Sequence, residues 1–118
     1  MMNDLTFVFE SGSVPVGSYL AKFVGVEVVP PGEYQEGIRW IWEIASGQYV
    51  GRKVSRISGK KPSLDNKAGK FISGMTGKQF QLGESISLAP CVGKTFLIVM
   101  GQSKSGASVV ESVSLPPV

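Results

Sequence analysis

Basic side chains are concentrated in one short segment of this 118-residue chain. Residues 52–78 hold eight of the twelve lysines and arginines and only one acid, Asp65, which gives the segment a net charge of +7. The other 91 residues hold four bases and eight acids, for a net charge of −4. Clustered like charges repel one another in a folded protein, so the segment indicates a partner with many negative charges. A nucleic-acid backbone is the first candidate.

Catalytic chemistry has little support in this composition. The chain has no histidine, which excludes the usual proton shuttle, the Ser-His and Cys-His nucleophile pairs and imidazole metal ligands. The nine acids are scattered, and the lone Cys91 fits a small buried apolar residue better than a nucleophile. The stretch GMTGKQF lacks the spacing and the Lys-Ser/Thr pair of a phosphate-binding loop. We therefore expect neither an enzyme nor a cofactor or metal site.

Length and composition predict one small domain spanning residues 1–118. Hydrophobic residues make up 42% and charged residues 18%, which is ordinary for a compact globular chain. No apolar run approaches the roughly 20 residues that cross a bilayer, and the first residues, MMNDLTFVFESGS, lack the features of a secretory signal. A single cysteine forms no internal disulfide. We expect a cytoplasmic protein without membrane contact.

A long first strand is predicted over residues 17–29, GSYLAKFVGVEVV, which is rich in β-branched and aromatic residues. A bulge at Gly25 would bend this strand and swap the side chains that face inward. The residues predicted to face the core are Tyr19, Ala21 and Phe23 before the bulge, and Val26 and Val28 after it. The following loop, PPGEYQEG, begins where Pro30 and Pro31 remove amide donors.

Two further strands follow. Residues 37–44, GIRWIWEI, alternate with period two, so that Ile38, Trp40, Trp42 and Ile44 share one face. Because the two tryptophans share that face with isoleucines, core packing is the favoured interpretation, with Trp42 a candidate for reaching a rim at the strand end. Residues 52–58, RKVSRIS, are predicted as a third strand with bases on both faces.

A helix and two more strands complete the pattern. Ser63 or Asp65 is predicted to cap a short helix that runs to about Met75. The helical apolar positions are Leu64, Ala68, Phe71, Ile72 and Met75. A connecting loop follows, with a short extended piece near Ile86. Strands are then predicted at 94–101, KTFLIVMG, and 107–115, ASVVESVSL, joined by the QSKSG turn.

This order predicts an all-β fold with one short helix. Five strands with the helix between the third and fourth is the chain order of the OB fold, a five-stranded Greek-key barrel. The usual binding surface of that fold is the face of strands 2 and 3 with the loops that join strands 1 to 2 and 4 to 5. This surface coincides with the predicted positions of Arg39, Arg52, Lys53 and Arg56. It also includes the two loops that carry Tyr34 and Lys104.

Five short motifs in order resemble small bacteriophage OB-fold proteins that bind single-stranded DNA. They are G-x-Y-x-A-x-x-x-G-V-E from Gly17, I-R-W-I-W-E-I from Ile38, G-x-Y-x-G-R-K-V-S from Gly47, M-x-G-K from Met75 and V-G-K from Val92. The resemblance runs from about Gly17 to Val99. It implies single-stranded DNA binding and protection in phage replication or recombination, in the host cell cytoplasm, with replication or recombination proteins as possible partners. The chain ends in SLPPV instead of the Gly/Pro-rich linker and acidic tip of the cellular bacterial branch.

A sequence-tolerant binder of single strands needs cations that follow the phosphates and flat groups that stack on bases. The predicted nucleic-acid-binding residues are Arg39, Arg52, Lys53, Arg56, Lys60, Lys61, Lys67, Lys70, Tyr34, Tyr49, Trp42 and Lys104. Tyr34 and Tyr49 are the predicted stacking residues, although they can equally brace their loops. A plain solvated face is the less favoured alternative for the lysines. If about four to six phosphates are contacted, log K falls with log salt at a slope near −3 to −4.

Oligomerisation and two other functions stay open. Residues 1–13 contain the alternating segment LTFVF and form either a flexible arm or an edge strand that pairs with another subunit, so we expect a homodimer or homotetramer. The first alternative function is an OB-fold protein-interaction module of a phage replication or virion complex. The second is an RNA-binding OB domain of the cold-shock kind, for which the chain lacks an aromatic-rich K-G-F-G-F-I segment.

Overall fold

The computed structural model describes residues 14–30, 37–59, 66–78, 83, 85–104 and 106–117. They form one sheet of five antiparallel strands: β1 (Gly17–Val29), β2 (Gly37–Ile44), β3 (Lys53–Ser58), β4 (Thr95–Gln102) and β5 (Ser108–Ser114). Helix α1 (Lys67–Thr76) lies between β3 and β4 in the chain, and a 3₁₀-helix spans Ala89–Cys91. The predicted mostly-β composition, five strands and helix position are confirmed. In the described ranges, no helix has the length and hydropathy that a membrane crossing requires.

Strand β1 holds the sheet together, because its two halves pair with different neighbours. Residues 17–22 pair with β4 and residues 21–29 pair with β2, in the sheet order β3-β2-β1-β4-β5. The register with β2 shifts between Phe23 and Gly25, and Gly25 has a φ of +143°, which favours glycine. The predicted bulge at Gly25 is confirmed. The short extended piece predicted near Ile86 forms no strand, since residues 85–88 have no regular secondary structure.

The prediction that Val26 and Val28 are core residues is wrong. Their partners across β2 are Trp40 and Ile38, so the bulge does turn both valines to the predicted face. Their side chains are nevertheless 50% and 64% exposed. Helix α1 covers the core through Phe71, whose ring contacts Trp40 and Trp42 on β2. The helix does not cover the last residues of β1, so these residues are open to solvent.

The core is built around four aromatic rings. Phe23 of β1, Trp40 and Trp42 of β2 and Phe71 of α1 are all buried, with ring centroids 5.1–6.4 Å apart. The predicted period-two alternation of β2 is confirmed, since its inward face is buried or half-buried along its whole length. Other buried members of this core are Val14, Ala21, Ile44, Val54, Ala68, Ile72, Met75, Cys91, Phe96, Ile98, Met100, Val110 and Val113.

The N-cap of helix α1 lies one residue after Asp65 and three residues after Ser63, the two predicted caps. Asn66 is the N-cap, and its side-chain oxygen Oδ1 accepts a hydrogen bond from the Gly69 amide at 2.9 Å. The helix ends at Gly77, whose φ of +72° is left-handed and whose amide donates to the Ser73 carbonyl at 2.8 Å. The predicted inward positions 68, 71, 72 and 75 are buried, whereas Ser63, Leu64 and Asp65 lie outside the described residues.

The Asn66 cap gives a test of how α1 is held. We expect Asn66→Ala to lower the free energy of unfolding by about 1 kcal/mol, because the Gly69 amide loses its acceptor. Asn66→Asp keeps an acceptor at the same position and should retain nearly all of the stability. Urea unfolding of the three proteins, followed by circular dichroism, measures both differences. Equal destabilisation by the two substitutions would contradict the capping role.

Candidate nucleic-acid interface

Two cations from different elements meet at one carboxylate. Arg56 of β3 donates through Nη1 to Glu111 Oε1 of β5 at 3.3 Å and to the carbonyl oxygen of Val110 at 3.3 Å. Lys67, the first residue of α1, donates through Nζ to the main-chain carbonyl of Glu111 at 2.9 Å and lies 3.7 Å from Oε1. We call Arg56, Lys67 and Glu111 the β3–α1–β5 junction. It brings together two of the predicted binding residues that are 11 positions apart in the chain.

A β-bulge places Glu111 at this junction. The pairing of β4 with β5 passes from Val99 opposite Ser112 to Met100 opposite Val110, which leaves Glu111 as the extra residue. Its side chain lies over Gly101, where a Cβ atom would come within 2.7 Å of Glu111 Cγ. The sequence-based site prediction missed Glu111. Two features of the sequence could have identified it. Glu111 is the only acid of the predicted last strand, and it directly follows the apolar residues Val109 and Val110.

The junction carries a net positive charge and is open to solvent. Two cations face one carboxylate, which leaves +1 at the site. The side chains of Arg56, Lys67 and Glu111 are 28%, 29% and 39% exposed, so an anion in solution can reach them. Lys70 follows Lys67 by three residues on α1 and is exposed, and residues so spaced lie on the same side of a helix. The junction therefore holds two of the predicted binding residues, and a third, Lys70, is on the same side of α1 as Lys67.

The outer face of β2 and β3, opposite the core, carries the next two predicted residues beside acids. Arg39 donates to Glu27 of β1 at 2.6 Å and lies opposite Ile57 of β3, which is half exposed. Lys53 lies opposite Glu43. On this face each base therefore lies beside an acid, and the half-exposed Ile57 lies next to the pair of Arg39 with Glu27. The face is less basic than the composition of residues 52–78 alone predicts.

The turn between β2 and β3 holds Tyr49 and Arg52. The Tyr49 ring is half-buried against the core and meets the Tyr19 ring edge-on, with centroids 6.0 Å apart. The Arg52 guanidinium carbon lies 5.7 Å from the Tyr49 centroid, at cation–π distance. Tyr49 thus braces its turn, which is the second of the two roles considered for it, and its stacking on a base stays a prediction.

The prediction that Trp42 reaches a rim and contacts nucleic acid is wrong. Its side chain is 0% exposed and packs against Phe23 and against Phe71 of α1. The helix closes over the strand end from which Trp42 would have to emerge. The interpretation of Trp40 and Trp42 as core residues is confirmed, and Trp40 Nε1 donates to Ser58 Oγ at 2.8 Å.

The remaining predicted residues lie elsewhere or outside the described ranges. Lys104 is exposed in the turn between β4 and β5. Tyr34, Lys60, Lys61 and the N-terminal residues 1–13 lie outside the described residues. The structure therefore places the described predicted bases at the junction, on the outer face of β2 and β3, and in two turns, and joins Arg56 and Lys67 by contacts to a common carboxylate.

No metal-binding cluster appears in the part of the chain that the structure describes. Within it, no three histidine, cysteine or acidic side chains come close enough together to hold a metal ion. Cys91 is buried.

Neither the models of protein families nor the sequences of curated proteins give a match to this chain.

Proposed function

We propose that the protein binds and protects single-stranded DNA with little sequence preference, in phage replication or recombination. The observation that carries the proposal is the approach of Arg56 and Lys67 to one carboxylate oxygen from β3 and α1. The two residues bracket Lys60 and Lys61 in the sequence. Their meeting brings two cations of the basic segment within reach of one phosphate, which supports a binding site for a flexible polyanion.

We also propose that the sheet is an OB-fold Greek-key barrel. Three observations support this. The bulge at Gly25 lets β1 pair with β2 and with β4, the helix follows β3, and the two ends of the sheet order approach each other where Arg56 of β3 donates to the Val110 carbonyl of β5. A closed barrel of this type presents the outer face of β2 and β3 as its binding surface.

The proposed binding mode assigns different parts of the strand to different groups. Phosphates lie along the cations of the junction and of the outer face, where Arg39 and Lys53 are placed. Bases lie on the apolar centre of that face, at Ile57, and against the planar guanidinium of Arg39, since arginine stacks on flat rings. Such contacts use no base-edge hydrogen bonds, so sequence preference is weak.

Fluorescence polarization with three labelled ligands tests this function. We expect tight, salt-sensitive binding of a thymidine oligomer of about 16 nucleotides, and much weaker binding of the matching uridine oligomer and DNA duplex. Stronger binding of the uridine oligomer would instead support the RNA-binding alternative. Absence of binding to all three would contradict the proposal.

The protein-interaction module remains the second candidate, on one specific observation. Ile57 is half exposed on the outer face of β2 and β3, and the ion pair of Arg39 with Glu27 balances charge beside it. Exposed apolar groups beside balanced charges are typical of surfaces that bind proteins. The predicted homodimer or homotetramer is a further use for such a surface, and it stays a prediction.

A further inference from the structure

We propose that Arg56 and Lys67 form one phosphate-binding site that Glu111 occupies in the free protein, so that bound DNA displaces this carboxylate. The inference rests on the proposed function and adds a built-in competitor to it. Its basis is a shared atom: Glu111 Oε1 lies 3.3 Å from Arg56 Nη1 and 3.7 Å from Lys67 Nζ. A phosphate oxygen at the same position would contact both cations.

The two cations are held in place without the carboxylate. Arg56 also donates to the main-chain carbonyl of Val110, and Lys67 donates to that of Glu111 at 2.9 Å. Both carbonyls belong to β5, whose bulge fixes their direction. If the Glu111 side chain leaves, Lys67 keeps its hydrogen bond of 2.9 Å, and Arg56 keeps its longer contact of 3.3 Å to the Val110 carbonyl, so both cations stay near the same point. The site is therefore arranged in advance for an incoming anion.

The carboxylate is held weakly enough to be exchanged. Both contacts to Oε1 exceed 3.2 Å, and all three side chains are partly exposed, which are the conditions under which ion pairs contribute little to stability. A phosphodiester carries the same single charge as the carboxylate, so the exchange leaves the charge of the junction unchanged. Glu111 thus lowers the affinity of the junction for every polyanion. A ligand that offers several phosphates at once can still bind, because its other contacts compensate for this competition.

The variant Glu111→Gln tests this competition, because it removes the charge and keeps the shape. We expect its affinity for the thymidine oligomer to rise about fivefold near 0.1 M salt with little change in the slope of log K against log salt, because the same phosphate reaches the junction in both proteins. Glu84→Gln makes the same change of net charge at a residue outside the predicted binding set, and it controls for net charge. Thermal unfolding of each variant checks that the fold is retained.

A double-mutant cycle separates the site from a general charge effect. In a Lys67→Gln background, we expect Glu111→Gln to raise affinity less than twofold, because the carboxylate then competes for only one cation. If Glu111→Gln raises affinity equally with and without Lys67, or no more than Glu84→Gln does, the inference is overturned.

Inorganic pyrophosphate gives a test that does not depend on DNA. We expect titration of labelled protein to shift the amide resonances of Val110, Glu111 and Lys67, at lower pyrophosphate concentration in Glu111→Gln than in the wild type. These shifts together with no binding of oligonucleotides would support the anion site and reject the proposed function. Oligonucleotide binding without any pyrophosphate shift at these residues, in either protein, would support the function and reject the anion site.

Discussion

Replacing Arg56 and Lys67 together by glutamine is expected to weaken binding of the thymidine oligomer about fivefold near 0.1 M salt, because the two cations share one phosphate. Each neutralised phosphate contributes a salt slope of about −0.7, which corresponds to roughly fivefold in affinity at that concentration. The slope itself should fall in magnitude by about 0.7. Polarization titrations at several salt concentrations measure both quantities.

The control for this pair is Lys78→Gln combined with Lys94→Gln. Both lysines are exposed, neither belongs to the predicted binding set, and the net charge changes by the same two units. We expect the affinity of this control for the thymidine oligomer to fall less than about threefold, since the two substitutions remove only a long-range attraction that salt screens. Equal losses in the two double variants would show that net charge, and not the junction, determines affinity.

The second large effect concerns the seam between α1 and β5. A Cβ atom on Gly74 would collide with the carbonyl oxygen of Val113 and lie 2.9 Å from the Val113 carbonyl carbon. Alanine favours a helix over glycine by about 1 kcal/mol, but overpacking against a fixed backbone costs about 1–3 kcal/mol or more. We expect Gly74→Ala to lower the free energy of unfolding by about 2 kcal/mol, and thermal unfolding to show it.

Gly59→Ala is the matched control for Gly74→Ala. A Cβ atom on Gly59 would meet nothing within 4 Å, so the substitution should change stability by less than about 0.5 kcal/mol. If Gly74→Ala unfolds at the wild-type temperature, α1 does not pack on β5 as described. Because Lys67 reaches Glu111 from the same helix, that result would also remove the basis of the junction.

Local patterns predicted the strands well because they depend on neighbouring residues alone. The bounds of β1 and β2 agree with the predicted ranges, and the bulge at Gly25 was readable because a strand of 13 residues with an internal glycine has to bend somewhere. Strand β3 begins one residue later than predicted, at Lys53, because Arg52 belongs to the turn with Tyr49.

Two of the failures involve contacts between distant parts of the chain. Whether Val26 and Val28 are covered depends on how far α1 reaches along β2, and period-two alternation holds no information on that. Trp42 is closed off by Phe71, which lies 29 residues later in the chain. Asn66 was not predicted as the cap because Ser63 and Asp65 are equally good cap residues nearby.

Part of the candidate site was readable from composition, and part was not. The count of charges over residues 52–78 identified Arg56 and Lys67. It also treated every base in that segment as available to bind nucleic acid. The acids that lie near these bases come from other elements: Glu27 of β1 beside Arg39, and Glu111 of β5 beside Arg56. Glu111 reaches its position only because the register of β4 and β5 shifts at that residue, which the sequence of β5 does not specify.

The salt dependence of binding to the thymidine oligomer tests the central claim most directly. The account predicts that log K falls linearly with log salt at a slope of about −3 to −4, as for about four to six phosphates neutralised by the basic segment. A slope near zero, or no measurable binding in dilute buffer, would contradict it.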